Sequence, residues 1–445
     1  MAFLTYFRLN SAAPMTLATL TCLAAYLLFS LQQIIISAWL GSGVSFGSTA
    51  IRVFIATVSV WLYRRQGLQP VLRRPLLAIT ACLIALAASV LMSEHPVIAV
   101  KFAIKYGTAL LLLWTFLNLA LAYPMFPAAA ARAALLALWG NILLSLGVRF
   151  EIPGLKHFSL AFHPEASFAY LPRVSGIYEH PAIFGATSVM AAILAIQLYT
   201  QNQLGKRTLP WIVTGTCLTL LLTESRNALV PLLGFGCGFA WVFKHEFRGS
   251  DVWRIGGGMV LLAVLMGFIL VQRHAELTSA SKESLLTAFT LGRTYIWAGA
   301  FEAWRGHPWF GLGAGVFQFL TPDFTGGRFD RGELHAHNVL LAILSETGLI
   351  GLSAYAFLVY SLWRPLLKDG MEALQRNWIL IWLAVLPCFG LFDFYLPFYG
   401  FSIHLALVLA AQYASAYPCR KKISSTGGDF AINTNREHPN KENRA

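Results

Sequence analysis

Long apolar runs separated by short polar segments make up most of this chain. A run of roughly 17 to 25 apolar residues can cross the hydrocarbon core of a bilayer as a helix. A helix is expected for each run, because it satisfies its backbone polar groups internally. The first run lacks a small-residue cleavage site, so we interpret it as a helix and not a signal peptide. We predict about twelve membrane helices, near residues 15–38, 46–63, 76–92, 97–121, 128–147, 182–200, 209–223, 227–243, 254–271, 339–363, 378–392 and 396–416.

Two of the polar segments are much longer than the others, at residues 149–180 and 272–337. The predicted fold is therefore all-α, a polytopic membrane domain over residues 1–416 that includes both long loops. Residues 417–445 are polar and of low hydrophobicity, which is typical of a disordered tail.

Composition and charge distribution support a membrane protein and give it an orientation. The chain is 57% hydrophobic and 12% charged, whereas soluble domains are roughly 25% charged. The net charge of +13 would suit a nucleic-acid partner, but the basic clusters lie in alternate short segments, at residues 64–74, 206–207, 244–254, 364–376 and 420–422. With twelve helices, these segments share one side, which the positive-inside rule assigns to the cytoplasm. We therefore expect both termini in the cytoplasm, both long loops outside, and no nucleic-acid partner.

A polar stretch, Glu333-Leu334-His335-Ala336-His337-Asn338, ends the second loop where the apolar run from Val339 begins. Ionisable groups at a membrane boundary often mark a functional site. Asn338 is a suitable N-cap for the predicted helix. A helix N-terminus favours a neutral imidazole, which suits His337 to the role of a general base. His335 is an alternative base, and a purely structural polar cap is the other interpretation.

Three arginines lie next to predicted helix ends on the outer side of the membrane, namely Arg173, Arg226 and Arg293. A guanidinium group matches the oxygens of phosphate in planar, paired geometry. The hypothesis is that they bind an anionic, phosphate-bearing substrate. Interfacial arginines that contact lipid headgroups are the alternative for each of them.

Further candidates lie on the same side or within the helices. Lys101 and Lys105 share one helical face and either meet phosphate or extend to the membrane surface. Glu346 lies two turns inside a predicted helix, where a carboxylate is either functional or ion-paired with a neighbouring helix. His180 precedes another predicted helix.

The sequence gives no indication of a metal or other cofactor. The outer loops contain no Asp-x-Asp motif, so a metal-dependent transfer is disfavoured. Five of the six cysteines fall inside apolar runs and one in the tail, which indicates neither a disulfide framework nor a zinc site.

The polar motifs between residues 223 and 351 resemble those of the bacterial O-antigen ligase and polymerase superfamily. The matching positions are Thr223, Ser225 and Arg226, then Gly292-Arg293-Thr294-Tyr295-Ile296-Trp297, then Pro308, Gly311, Gly313, Gly315 and Phe317, then His337-Asn338, Glu346, Gly348 and Gly351. The O-antigen ligases fit best within this superfamily.

The resemblance implies an inner-membrane glycosyltransferase of the C-type class, acting at the periplasmic face without metal. The donor would be an O-polysaccharide on undecaprenyl pyrophosphate, and the acceptor a sugar hydroxyl of the lipid A core. His337 matches the family histidine that would deprotonate this hydroxyl. The resemblance also implies that Arg173, Arg226 and Arg293 hold the pyrophosphate. Alternatives are an O-antigen polymerase, a protein O-oligosaccharyltransferase or, from another class, a membrane transporter.

Overall fold

The computed structural model describes residues 67–123, 126–150, 180–205, 208–223, 225–244, 256–265, 293–327, 334–368, 370–391 and 399–417, with a few isolated residues between them. The predicted helix near residues 15–38, most of the one near 46–63, part of the one near 254–271, and residues 418–445 lie outside the described residues. So do Arg173 and the side chain of Arg226.

All regular secondary structure in the described residues is helical, which confirms the all-α prediction. In chain order the α-helices are α1 (Arg73–Leu91), α2 (Pro96–Ala122), α3 (Phe126–Arg149), α4 (Pro181–Thr200), α5 (Thr208–Thr223), α6 (Arg226–Val242), α7 (Arg293–Gly306), α8 (Phe317–Phe324), α9 (Val339–Trp363), α10 (Ala373–Leu391) and α11 (Tyr399–Ala416).

Six helical segments in the described part of the chain are long and apolar enough to cross a membrane: Pro70–Leu91, Pro96–Ala122, Phe126–Arg149, Pro181–Thr200, Val339–Leu366 and Ala373–Leu391. The same residues contain three shorter apolar helices, Thr208–Thr223, Asn227–Val242 and Phe401–Ala416. Nine of the predicted runs therefore coincide with apolar helices, because length and hydropathy alone identify such segments. The total of twelve and the side on which the loops lie stay predictions.

Helix α4 is the centre of the bundle. It is buried from Pro181 to Leu198 and packs against α3, α5, α6 and α11. Small residues along α4 let its neighbours approach closely: Gly185 lies against Ser225, where a Cβ atom would not fit. Its buried amide, Gln197, is satisfied by hydrogen bonds with Gln412 and Trp382.

Helix α9 is interrupted at Gly348, where the loop before α8 docks into it. Gly348 has a φ of 65° and a ψ of −163°, which lie outside the helical region. The interruption exchanges helix hydrogen bonds for bonds to the loop, with N···O distances between 2.8 and 3.2 Å. On the α9 side, the N–H groups of Leu349 and Ile350 donate to the carbonyls of Pro308 and Trp309. In the opposite direction, the N–H groups of Leu312 and Gly313 in the loop donate to the carbonyls of Ser345 and Glu346. The loop and the two halves of α9 thus form one hydrogen-bonded unit.

The glycine at this interruption leads to a stability prediction. Replacing Gly348 with alanine places a Cβ atom on the backbone of Trp309 in a left-handed conformation. Such strain alone costs about 1–3 kcal/mol, and the overlap with Trp309 adds to it. Gly326 is a matched control, since its φ of 64° is nearly the same but its Cβ position is open. In thermal unfolding of the solubilised protein, Gly348→Ala should lower Tm far more than Gly326→Ala. Equal shifts would mean that the docking does not constrain this position.

Candidate active site

Arg293 lies beside the first turn of α6. Its Nη1 donates a hydrogen bond to Oδ1 of Asn227 over 2.9 Å. Asn227 follows Arg226, the first residue of α6. The Arg293 side chain is therefore brought to the turn of α6 that begins at Arg226, although the two residues are 67 positions apart (293 − 226).

The chain next to Arg173 reaches the same turn. The backbone N–H of Val174 donates to the carbonyl of Leu222 over 3.1 Å, at the end of α5. Val174 and Tyr178 are buried, each with 2% of its surface exposed. Burial raises the pKa of the Tyr178 phenol to about 12, so it stays protonated at neutral pH. This segment is therefore anchored on the bundle close to the α5–α6 turn.

Helices α6 and α10 run antiparallel, which places the start of α6 at the same end as the end of α10. The Phe243 ring contacts Trp378 with centroids 5.4 Å apart, while Gly234 lies against Cys388. Later residues of α6 therefore lie beside earlier residues of α10. Arg226 and Leu391, the first and last residues of these helices, lie at one end of the bundle.

Asn338 joins the start of α9 to that same end. Its Oδ1 accepts from the N–H groups of Leu340 and Leu341 at 3.0 and 3.1 Å, which confirms the predicted N-cap. Its Nδ2 donates to the carbonyl of Leu391 over 3.1 Å. The amide therefore fixes where α9 begins relative to α10, and it holds His337 near the α6 end that carries Arg226.

His337 has a left-handed backbone, with a φ of 48°. Few residues other than glycine adopt this conformation, although histidine, asparagine and aspartate do so more often than most. The partly buried ring of His337 lies next to that of His335, with centroids 6.2 Å apart. Both predicted bases therefore lie at the start of α9.

A small apolar cluster connects the His337 segment to α7, the helix that begins at Arg293. Ala336, Ile296, Ala300, Val316 and Phe317 are all buried in it. Ala336 precedes His337, and Ile296 follows Arg293 by one turn. The cluster thus fixes the two candidate groups on neighbouring backbone segments.

Three further predicted candidates, His180, Lys101 and Lys105, have no contact with His337 or Arg293 among the contacts described above. His180 is the N-cap of α4, and its Nδ1 accepts from the N–H of Ala182 over 3.1 Å. Lys101 is exposed, whereas Nζ of Lys105 lies 4.7 Å from the ring centroid of Phe102. His180 therefore has a capping role that its residue type and position do not predict.

Glu346 has unexpected partners. Its Oε2 accepts hydrogen bonds from the Tyr106 hydroxyl at 2.7 Å and from the N–H of Gly315 at 2.8 Å. Among the residues that the structure describes, no lysine or arginine forms a salt bridge with it. Neither Tyr106 nor Asn227 is predicted from the sequence, where their positions next to Lys105 and Arg226 are their main distinguishing feature.

A cavity of about 420 Å³ lies between α1, α2, α9, α10 and α11. It extends along α9 from Asn338 to Trp363, and its walls are mostly apolar, with Tyr106 and Glu346 among the few polar groups. A hydrocarbon chain is the type of ligand that such walls accommodate. One end of this cavity therefore lies at the residue next to His337.

Part of the chain that contains these residues is similar to a known protein family. A family model described as O-antigen ligase matches residues 211–356. Residues 211–356 are therefore similar to this family, and we call them the O-antigen ligase region. The match confirms the resemblance to the O-antigen ligase and polymerase superfamily. A search of the curated proteins finds no match.

The O-antigen ligase region runs from α5 into α9 and contains Arg226, Arg293, His337 and Glu346. Arg173, His180 and the two lysines lie outside it. The superfamily implies a glycosyltransferase-like activity on polysaccharide and lipid-linked substrates in general. The apolar helices described above agree with an enzyme of the membrane.

Proposed function

We propose that this protein is a lipopolysaccharide O-antigen ligase of the bacterial inner membrane. It transfers O-polysaccharide from undecaprenyl pyrophosphate to a sugar hydroxyl of the lipid A core at the periplasmic face. The observation that carries the proposal is the convergence of His337, Arg293 and the start of α6 at one end of the bundle, inside the O-antigen ligase region.

The proposed reaction is one displacement at the anomeric carbon. His337 takes the proton of the acceptor hydroxyl, whose oxygen forms the new bond to that carbon. The bond from the anomeric carbon to the pyrophosphate oxygen breaks, and the electron pair leaves with the lipid pyrophosphate. Attack opposite the leaving group inverts the anomeric centre. His337 then releases the proton to water.

Charge stabilisation is assigned to Arg173, Arg226 and Arg293. The leaving pyrophosphate gains negative charge in the transition state, so preorganised cations there lower the barrier. Guanidinium groups bind phosphate oxygens in pairs. The hydrogen bond from Arg293 to Asn227 supports this role, because it holds the guanidinium beside the first turn of α6, where anions are favoured.

The cavity along α9 supports a lipid-linked substrate. A donor whose pyrophosphate lies at His337 needs an apolar space for its hydrocarbon within the membrane. The cavity begins at Asn338 and continues beside α9. In the proposed topology, twelve helices place both termini in the cytoplasm and the His337 end in the periplasm.

We expect transfer to be independent of divalent metal, since the outer loops lack paired carboxylates. In the proposed mechanism, arginines supply the positive charge that a metal provides in other transferases. The rate should be unchanged in excess chelator. A rate that falls with chelator and recovers with magnesium or manganese would contradict the metal-free mechanism.

An O-antigen polymerase is the second candidate, because the matched superfamily contains both activities. A protein O-oligosaccharyltransferase shares the donor chemistry, and the three differ in the acceptor.

Expression in a strain that makes the donor but lacks its own ligase separates these functions. We expect glycan to appear on lipid A core. Glycan lengthened only on the lipid carrier would establish a polymerase, and glycan on protein would establish an oligosaccharyltransferase. A His337→Ala variant in the same strain controls for residual host activity.

A further inference from the structure

Glu346 connects four parts of the fold inside the membrane bundle. Its side chain, in a residue that is 3% exposed, accepts hydrogen bonds from Tyr106 on α2 and from Gly315 in the loop before α8. Its backbone carbonyl accepts from the Ser89 hydroxyl on α1 at 2.8 Å and from the N–H of Gly313 at 3.0 Å. A single residue of α9 thus binds two other helices and the loop.

The loop that Glu346 holds leads directly to the His337 segment. Gly315 lies two residues before α8, which begins at Phe317. On α8, the Thr321 hydroxyl donates to the carbonyl of Leu334 over 2.8 Å. Leu334 lies three residues before His337. The path from Glu346 to His337 therefore consists of one carboxylate–amide bond, one short helix and one hydroxyl–carbonyl bond.

Close packing makes this path stiff. Gly315 has a φ of 68°, and a Cβ atom there would overlap the Phe102 ring. Phe317 is fully buried in the cluster that also contains Ala336. A displaced Gly315 thus has little room to move without shifting α8.

We propose that Glu346, with Tyr106, is a positioning residue that sets the placement of His337 through Gly315, α8 and Leu334. The inference rests on the proposed function for its effect on the rate. The carboxylate acts as a hydrogen-bond acceptor, and the backbone of Glu346 lies about 10 Å along α9 from Val339 by the rise of 1.5 Å per residue. Although Glu346 lines the apolar cavity, it neither contacts the reacting atoms nor transfers the proton.

Substitutions at Glu346 separate an acceptor from a proton carrier. Glu346→Leu removes the acceptor and leaves the Gly315 N–H without its partner, so kcat should fall by about 10- to 100-fold for a misplaced base. KM for the donor should stay near the wild-type value. Glu346→Gln keeps an oxygen that can accept both bonds, so its kcat should stay within a few-fold of wild type. A glutamine variant as inactive as the leucine variant would overturn the positioning role.

Hydrogen exchange tests the positioning without any reaction. In Glu346→Leu, amide exchange should rise in residues 311–317 and 334–337, because their hydrogen bonds open more often. Gln412→Leu is the matched control, since it removes a buried hydrogen-bonded amide between α4 and α11, away from this path. It should lower Tm without changing exchange at residues 334–337 or kcat.

The transfer rate and the amide exchange test different claims. If the wild-type protein performs no transfer, the proposed function is wrong, while exchange still decides whether Glu346 holds the His337 segment. If exchange and kcat are unchanged in Glu346→Leu, the positioning role is wrong whatever the reaction. Should the leucine variant not fold, Tyr106→Phe removes the hydroxyl bond to Glu346 but leaves the bond from Gly315, so it must show the same exchange pattern at a smaller amplitude.

Discussion

The His337→Ala variant is expected to fold and insert into the membrane but to lose transfer by about 10²–10⁴-fold, the usual loss for a general base. The acceptor hydroxyl then has no group to take its proton as the new bond forms. Because His337 has a left-handed φ of 48°, alanine also disturbs the backbone. His337→Asn separates the two effects, since asparagine tolerates this conformation but is not a base. Both variants should be equally slow in a single-turnover assay with purified protein.

Two other histidines complete the test. His307 is exposed in the loop after α7, and His307→Ala should transfer at the wild-type rate. His335 lies beside His337, so His335→Ala should retain most of the activity. Wild-type transfer by His337→Asn, together with an inactive His335→Ala, would assign the base to His335.

Substituting lysine for Arg173, Arg226 or Arg293 should slow transfer strongly, although the charge is kept. Removal of one preorganised donor to a developing anion costs about 10²–10³-fold in kcat. Lysine is a point charge without the planar fork of arginine, so it should recover only part of this loss. For Arg293, lysine should also lose the geometry of the bond to Asn227. Steady-state rates at saturating acceptor measure the effect.

Arg305 provides the matched control, because it lies on the same helix as Arg293 at the other end. It forms an exposed pair with Glu302 over 3.3 Å, and exposed pairs of this kind contribute little. Arg305→Lys should therefore transfer normally. If all three predicted arginines tolerate lysine as well as Arg305 does, they are interfacial residues on lipid headgroups and their proposed role in binding the pyrophosphate is wrong.

The sequence predicts those features of the fold that depend on local patterns. Runs of apolar residues identify nine of the described apolar helices, because a membrane helix must be both long and apolar. The cap at Asn338 follows from a polar residue before an apolar run, and the structure confirms it. The interruption at Gly348 is not predictable in this way, because it depends on backbone bonds to Pro308 and Trp309, about forty positions earlier.

In the candidate site, too, the local features are predictable from the sequence and the distant contacts are not. Arginines and a histidine at helix ends are recognisable from residue type and position. Their convergence is not, since Val174 meets Leu222 and Arg293 meets Asn227 only in the folded bundle. Glu346 is the clearest case: its partner Tyr106 lies 240 positions away. Both a lysine and an arginine were reasonable expected partners, and neither pairs with it among the described residues.

Reconstituted transfer decides whether this protein is an O-antigen ligase. Purified protein in lipid bilayers is mixed with undecaprenyl-pyrophosphate-linked O-polysaccharide and core lipopolysaccharide, and the products are separated by size. We expect a ladder of glycan on lipid A core that requires both substrates and disappears in His337→Asn. A donor that is only lengthened on its lipid carrier, with the core lipopolysaccharide unmodified, would contradict the ligase function.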